Sequence, residues 1–166
     1  MKQAEDKTNV MRVFDQKKIA YTPHGYEHAE GEAVDAATVA ALIGKKPDEI
    51  FKTLVARGAK GGLYVFVIPG DAELDLKKAA KASGEKSMEM LHVSELLAAT
   101  GYVRGGCSPI GMKKAYPTFF DESALSHATI TVSAGRIGRQ VEAAPSDVIS
   151  LARAKTASLT KDGTEE

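Results

Sequence analysis

Hydrophobic positions recur along this chain in two periods, and the switches between them outline its elements. In NVMRVFDQKKIA, Val10, Val13 and Phe14 share one helical face with charged residues elsewhere, and Asn9 is placed to cap the helix. YTPHGYEH follows, where Pro23 and Gly25 break a helix and predict an extended or turn segment. DAATVAALIG predicts a short helix stopped by Gly44. PDEIFKTLVAR begins as a turn at Pro47 and becomes a strand from Ile50 to Arg57. GAKGG then predicts a hairpin turn into LYVFVIP, a β-branched and aromatic run apolar enough to be buried on both faces.

The second half reads in the same way. DLKKAAKASG is a helix with Asp75 as cap and Gly84 at its end, and SELLAATG is another, capped by Ser94 and stopped by Gly101. After a glycine-rich loop, YPTFFD and HATITVS predict strands, with Ile130 and Val132 alternating with threonines. AGRIGRQVE is a glycine-marked turn into a further strand. PSDVISLARAK predicts a closing helix with Ser146 as cap, and TASLTKDGTEE is polar and expected to fray. Helices and strands mix without a regular βαβ rhythm, an internal repeat or a linker. The fold class predicted is α+β: one compact domain over residues 1–158, with a mixed, curved, barrel-like sheet flanked by helices and a polar tail at 159–166.

Composition narrows the classes without choosing one. A length of 166 residues suits a single core, and 43% hydrophobic with 27% charged residues is ordinary for a globular protein. Twenty-two basic residues balance 22 acidic ones, so no global charge draws the chain to nucleic acid or a membrane surface. The polar start MKQAEDKTN is unlike a signal peptide, and no apolar run approaches the ~18 residues of a membrane span. One cysteine rules out an intrachain disulfide and fits a reducing compartment, so a cytoplasmic location is expected.

Five features bear on chemistry. HGYEH, from His24 to His28, matches the H-x-x-E-H zinc-peptidase pattern, but that chemistry needs both histidines on one face of a continuous helix, which Pro23 and Gly25 oppose. Cys107 lies in GGCSPIGMKK, and is either a nucleophile needing a basic partner or a small semi-buried residue. Gly105 and Gly106 beside it let a backbone approach a ligand and aim N–H groups at it, or simply make a turn. Lys52, between Phe51 and Thr53 in an apolar strand, either reaches to solvent or serves an anionic ligand. Lys113, Lys114, Arg136 and Arg139, with Lys45 and Lys46, could form a local cationic patch for phosphates, without any major-groove helix or aromatic platform.

Four segments taken in order resemble the YbaK/EbsC family of aminoacyl-tRNA deacylases. They are YEH at Tyr26, IFKTLV around Lys52, ELDLKKAAKASGEKSMEM from Glu73, and GYVRGGCSPIGMKKAYPTFFD from Gly101, followed by ITVSAGRIG and the closing helix. The resemblance runs from about Asn9 to Lys155, and the GG-x-SP-x-G loop favours the branch that clears cysteine from proline tRNA. It implies a compact mixed α/β fold, no metal and no cofactor. As partners it implies an aminoacyl-tRNA acceptor end, from tRNA(Pro) and secondarily tRNA(Cys), together with prolyl-tRNA synthetase, and neither DNA nor a membrane.

By the same resemblance Lys52 takes the family lysine position and would hold the terminal phosphate or ribose. Gly105 and Gly106 match the loop that approaches the aminoacyl ester, completing the catalytic set. Tyr26 and Thr53 fall on pocket positions, with Ser133 and Gly135 on the opposing wall. Cys107 matches no family cysteine. Gln140 stands where members often carry an acidic residue. In that branch the substrate's own thiol attacks its ester carbonyl, which would explain why no catalytic triad stands out. Two alternatives are a different editing enzyme, removing alanine or another small amino acid by water attack, and a non-catalytic regulatory module of the same fold.

Overall fold

A computed structural model describes residues 7–27 and 34–161. Helix α1 (Asn9–Gln16) buries Val10, Met11 and Phe14. Its cap is Thr8 rather than the expected Asn9: the Thr8 hydroxyl, itself buried, accepts the Met11 N–H at 3.2 Å. Strand β1 (Thr22–Gly25) is the predicted extended segment. Helix α2 (Ala36–Ile43) is capped by Asp35 and ended by Gly44, and a 3-10 turn at Pro47–Glu49 leads into β2 (Phe51–Gly58). A tight turn joins β2 to β3 (Leu63–Pro69), the strand read as doubly buried.

Helix α3 (Leu76–Ser83) starts at Asp75, whose carboxylate accepts the N–H groups of Lys77 and Lys78, and stops at Gly84. Strand β4 (Met88–Met90), absent from the sequence reading, is only three residues long and pairs with the end of β2. Helix α4 (Val93–Thr100) begins earlier than expected, so Ser94 lies inside it and His92 occupies the cap position without a side-chain hydrogen bond. Strands β5 (Thr118–Asp121), β6 (Ile130–Arg136) and β7 (Arg139–Ala143) follow, then helix α5 (Pro145–Leu151) and β8 (Lys155–Ala157). Ser146 is not the cap of α5. Pro145 takes the first helical position, where its missing N–H costs nothing, and this leaves Ser146 within the first turn.

The strands form two sheets. One is antiparallel in the order β1-β7-β6. The other is mixed, in the order β4-β2-β3-β5-β8, with β3, β5 and β8 mutually parallel neighbours. The mixed sheet is as expected, and the strands do not close into a barrel. A parallel bridge, Ile50 to Thr131, links the sheets.

Alternation along the strands decides what each face buries. Phe51, Val55, Val65, Val67 and Phe120 of the larger sheet meet Ile130, Val132, Ala134 and Val141 of the smaller one, with α1 and Val148 of α5 completing this core. The opposite face of β2 and β3, through Ala56, Phe66 and Ile68, packs on α3, Met88 and Leu159. Burial on both faces is why β3 shows a continuous apolar run instead of alternation.

Leu159 overturns the expectation of a segment frayed from Thr156 onward. β8 pairs with β5, Leu159 is fully buried, its N–H donates to the Asp121 carboxylate at 2.9 Å, and its carbonyl accepts from Asp75. Local polarity gave no sign of this, because the stabilising partners lie far away in sequence.

Candidate functional site

The candidate site residues gather where the turn between β6 and β7 meets two loops. Ser133 accepts the Gly135 N–H at 3.1 Å within a bulge of β6, and Gly135 holds a φ of 102° that a side chain would strain. The turn's Gly138 carbonyl accepts the Tyr26 N–H at 3.1 Å, which brings Tyr26 to the site. From the other side comes the glycine-rich loop. Gly106 donates to Val103 at 2.9 Å, closing a turn in which Gly105 takes a φ of 87°. A Cβ on Gly106 would lie 2.9 Å from the Ile137 nitrogen and 3.1 Å from the Arg136 Cα, so only glycine lets these backbones touch. Arg136 and Arg139 face each other across this same turn.

Lys52 arrives through the bridge between the sheets. Two residues beyond the isolated Ile50–Thr131 bridge, Lys52 and Ser133 each lie on the side of their strand that faces away from the main core. The Lys52 ammonium is half-buried and donates to the Gly70 carbonyl at 3.3 Å. It has no carboxylate partner among the described residues. Thr53, next along the strand, necessarily points the other way, level with Val67 towards the core. Its hydroxyl oxygen is buried and makes no hydrogen bond. Thus Lys52 and Ser133 both face away from the main core, Tyr26, Gly105, Gly106 and Gly135 gather at the β6–β7 turn, and Thr53 stands apart from both.

Cys107 is buried, and burial pushes its thiol up to about 12, against a smaller lowering by a hydrogen bond from Thr100. A thiol held protonated in this way is a poor nucleophile. The zinc reading loses its helix: His24 sits in β1, and His28 lies outside the described residues. No cluster of potential metal ligands occurs among the described residues.

Two residues passed over in the sequence, and one read there only as part of a cationic patch, prove structurally central. Tyr102 donates to the Ile110 carbonyl at 2.6 Å and packs where Gly111 and Gly135 leave room for its ring, bracing the glycine loop against β6. Glu142 alternates with Gln140 on β7 and so shares its face. One carboxylate oxygen lies 2.8 Å from His24 Nε2, and the other accepts from Lys45 Nζ at 2.6 Å and from the Thr129 hydroxyl. Burial works against its charged form, but the hydrogen bonds from Lys45, Thr129 and His24 outweigh that and hold the carboxyl at about 2. Lys45 is the third. Its charge is matched by Glu142, so it does not join a free cationic patch. The alternation Gln140–Glu142 was the one available signal, and it named a face without naming the partners.

The fold, together with the family and relatives it matches, places the chain among proteins that edit aminoacyl-tRNA. The sequence profile described as "Aminoacyl-tRNA editing domain" matches residues 30–151, and the chain belongs to that family, whose enzymes deacylate aminoacyl-tRNA. It is 49% identical over 159 residues, 96% of each chain, to EbsC of Enterococcus faecalis (strain ATCC 700802 / V583), named as a candidate Cys-tRNA(Pro)/Cys-tRNA(Cys) deacylase. It is 33% identical over 109 residues to proline–tRNA ligase of Shouchella clausii (strain KSM-K16), covering 66% of this chain and 19% of that one. Among solved structures, a candidate trans-editing enzyme for prolyl tRNA synthetase superposes with a TM-score of 0.77 at 25% identity, covering 92% of this chain and 93% of the other. No helix among the described residues is long and apolar enough to cross a membrane.

Proposed function

We propose that this protein clears cysteine from mischarged tRNA(Pro), acting in trans, with Cys-tRNA(Cys) as a second substrate. The observation that carries this reading is Lys52: a half-buried ammonium with a neutral carbonyl as partner suits an anionic ligand. It is assigned to the terminal phosphate or ribose of the acceptor end. Arg136 and Arg139, at the turn that meets Gly106, add positive charge along the same edge. The likeness to EbsC supports cysteine as the amino acid removed. The likeness to a proline–tRNA ligase and to a trans-editing structure supports tRNA(Pro), with the synthetase as a partner in the cell.

An aminoacyl ester is already activated, so the protein's task is positioning and stabilising charge on the carbonyl oxygen. The substrate's cysteine sulfur attacks that carbonyl carbon, the ester bond to the ribose breaks, and the thiol proton passes to the departing ribose oxygen. Thiolactone and free tRNA result. Gly105 is assigned as amide donor to the oxyanion. Gly106, its own N–H bound to Val103, closes the turn and permits its close approach to β6–β7. Tyr26, Ser133 and Gly135 are assigned to the wall of the pocket, whereas Thr53, its hydroxyl buried towards the core, supports β2 beneath Lys52 without reaching the ester.

The test is deacylation by the purified protein of Cys-tRNA(Pro), Cys-tRNA(Cys) and Ala-tRNA(Pro), with Lys52→Ala alongside. Loss of cysteine with the wild type, reduced on the order of a hundredfold or more in the variant, supports the reading. Clearance of alanine alone would replace cysteine specificity with water-mediated editing. An inert wild-type protein on all three would favour a binding module.

A further inference from the structure

The two halves of the site sit on different sheets. Lys52 belongs to the five-stranded sheet, whereas Ser133, Gly135 and the turn holding Tyr26 belong to the three-stranded one. Their strands are joined by a lone parallel bridge, Ile50 to Thr131. Thr131 is the register partner of Glu142, so the Glu142 carboxylate emerges beside that bridge. Its three donors come from three places: His24 on β1, two residues before Tyr26; Lys45, at the end of α2 in the connection that runs to Lys52; and Thr129, just ahead of β6. The Glu142 side chain is only 13% exposed, which limits competition from water for these bonds.

We propose that Glu142 is a positioning residue for deacylation, a clamp fixing the spacing between the Lys52 sheet and the Tyr26–Ser133 sheet. The proposal rests on the deacylase reading above. A carboxylate bound on both oxygens resists rotation, and each donor anchors a different segment to β7. The bridge is a single backbone link, and the apolar core shared by the sheets is non-directional, so neither fixes the spacing at this edge as directed hydrogen bonds do. A displacement of about 1 Å between an anchoring group and the reacting ester is enough to cost a rate factor near a hundred. Glu142 touches no reacting atom in this scheme. It acts through the segments that carry Lys52 and Tyr26.

The experiment combines Glu142→Gln, Lys45→Met and the double variant with amide exchange read by mass spectrometry. Each single variant is expected to lose about tenfold or more in kcat, with KM within about twofold, and the double variant no more than either alone, because the pair acts as one unit. Exchange is expected to quicken at Thr22–Tyr26 and Ile50–Thr53 while Val65–Val67 stay protected. Wild-type kcat in folded Glu142→Gln overturns the proposal. So does a loss accompanied by equal quickening across Val65–Val67, which marks general destabilisation. If Glu142→Gln does not fold, Lys45→Met decides on the same criteria. If the wild type proves inert on every charged tRNA, the deacylase reading fails and the clamp is judged by exchange alone: selective quickening upholds it, and none overturns it.

Discussion

At the scale of single residues, chemical type and environment part company most clearly at Lys52 and Cys107. Both are reactive types in apolar surroundings, yet Lys52 keeps an ammonium within reach of an incoming anion while Cys107 is sealed into the loop. Cys107→Ala is expected to leave deacylation within about twofold of wild type and to cost about 1 kcal/mol of stability, measured by denaturant unfolding. The native thiol is expected to resist iodoacetamide at neutral pH, since burial holds it protonated; rapid alkylation of folded protein would contradict this. Tyr102→Phe removes the hydrogen bond to Ile110, and a loss of about 1 kcal/mol is expected with its packing on Gly135 retained.

At the scale of elements, the glycine loop and the β6–β7 turn form one unit, each shaped to admit the other. Gly106→Ala places a methyl group against the Ile137 backbone, which cannot yield as a flexible side chain would. It is expected to lower stability by about 1–3 kcal/mol and to depress deacylation beyond what Cys107→Ala does, read by paired unfolding and rate measurements. The glycines of this loop stood out in the sequence, and so did the helix stops at Gly44, Gly84 and Gly101, all of which adopt positive φ. Caps were less legible. Asn9, Ser94 and Ser146 all have suitable side chains, but the packing of Thr8, the early start of α4 and the proline at the head of α5 moved each boundary.

At the scale of the whole molecule, contacts distant in sequence fix both stability and the site. Ending the chain at Ser158 removes Leu159 from its fully buried place, and a loss of about 2–5 kcal/mol is expected from thermal unfolding. The Glu142 cluster gives the fold a defined acid response. The carboxyl titrates at about 2 when folded and in the ordinary carboxylate range when unfolded, so the unfolded chain binds the proton first as pH falls. Its contribution is therefore whole above about pH 5 and is lost progressively as the pH falls towards 2. Glu142→Gln is expected to flatten that part of the stability–pH curve; an unchanged slope between pH 5 and 2 would count against the cluster.

The sequence by itself determined the order of the longer elements, though not the three-residue strands β4 and β8, together with the doubly buried β3, the mixed class and the residue types of the loop at Gly105–Gly106, because periodicity and backbone preference are local properties. Its long ordered motifs also carried the family resemblance and Lys52. Only the tertiary structure decided that Lys52 and Ser133 both face away from the main core while Thr53 turns towards it, that a polar C-terminal segment is anchored by Leu159, and that Glu142 gathers Lys45, His24 and Thr129. Those outcomes depend on which strands pair, and the pairing of β1 with β7 brings His24 against Glu142, 118 positions away, where no local pattern reaches.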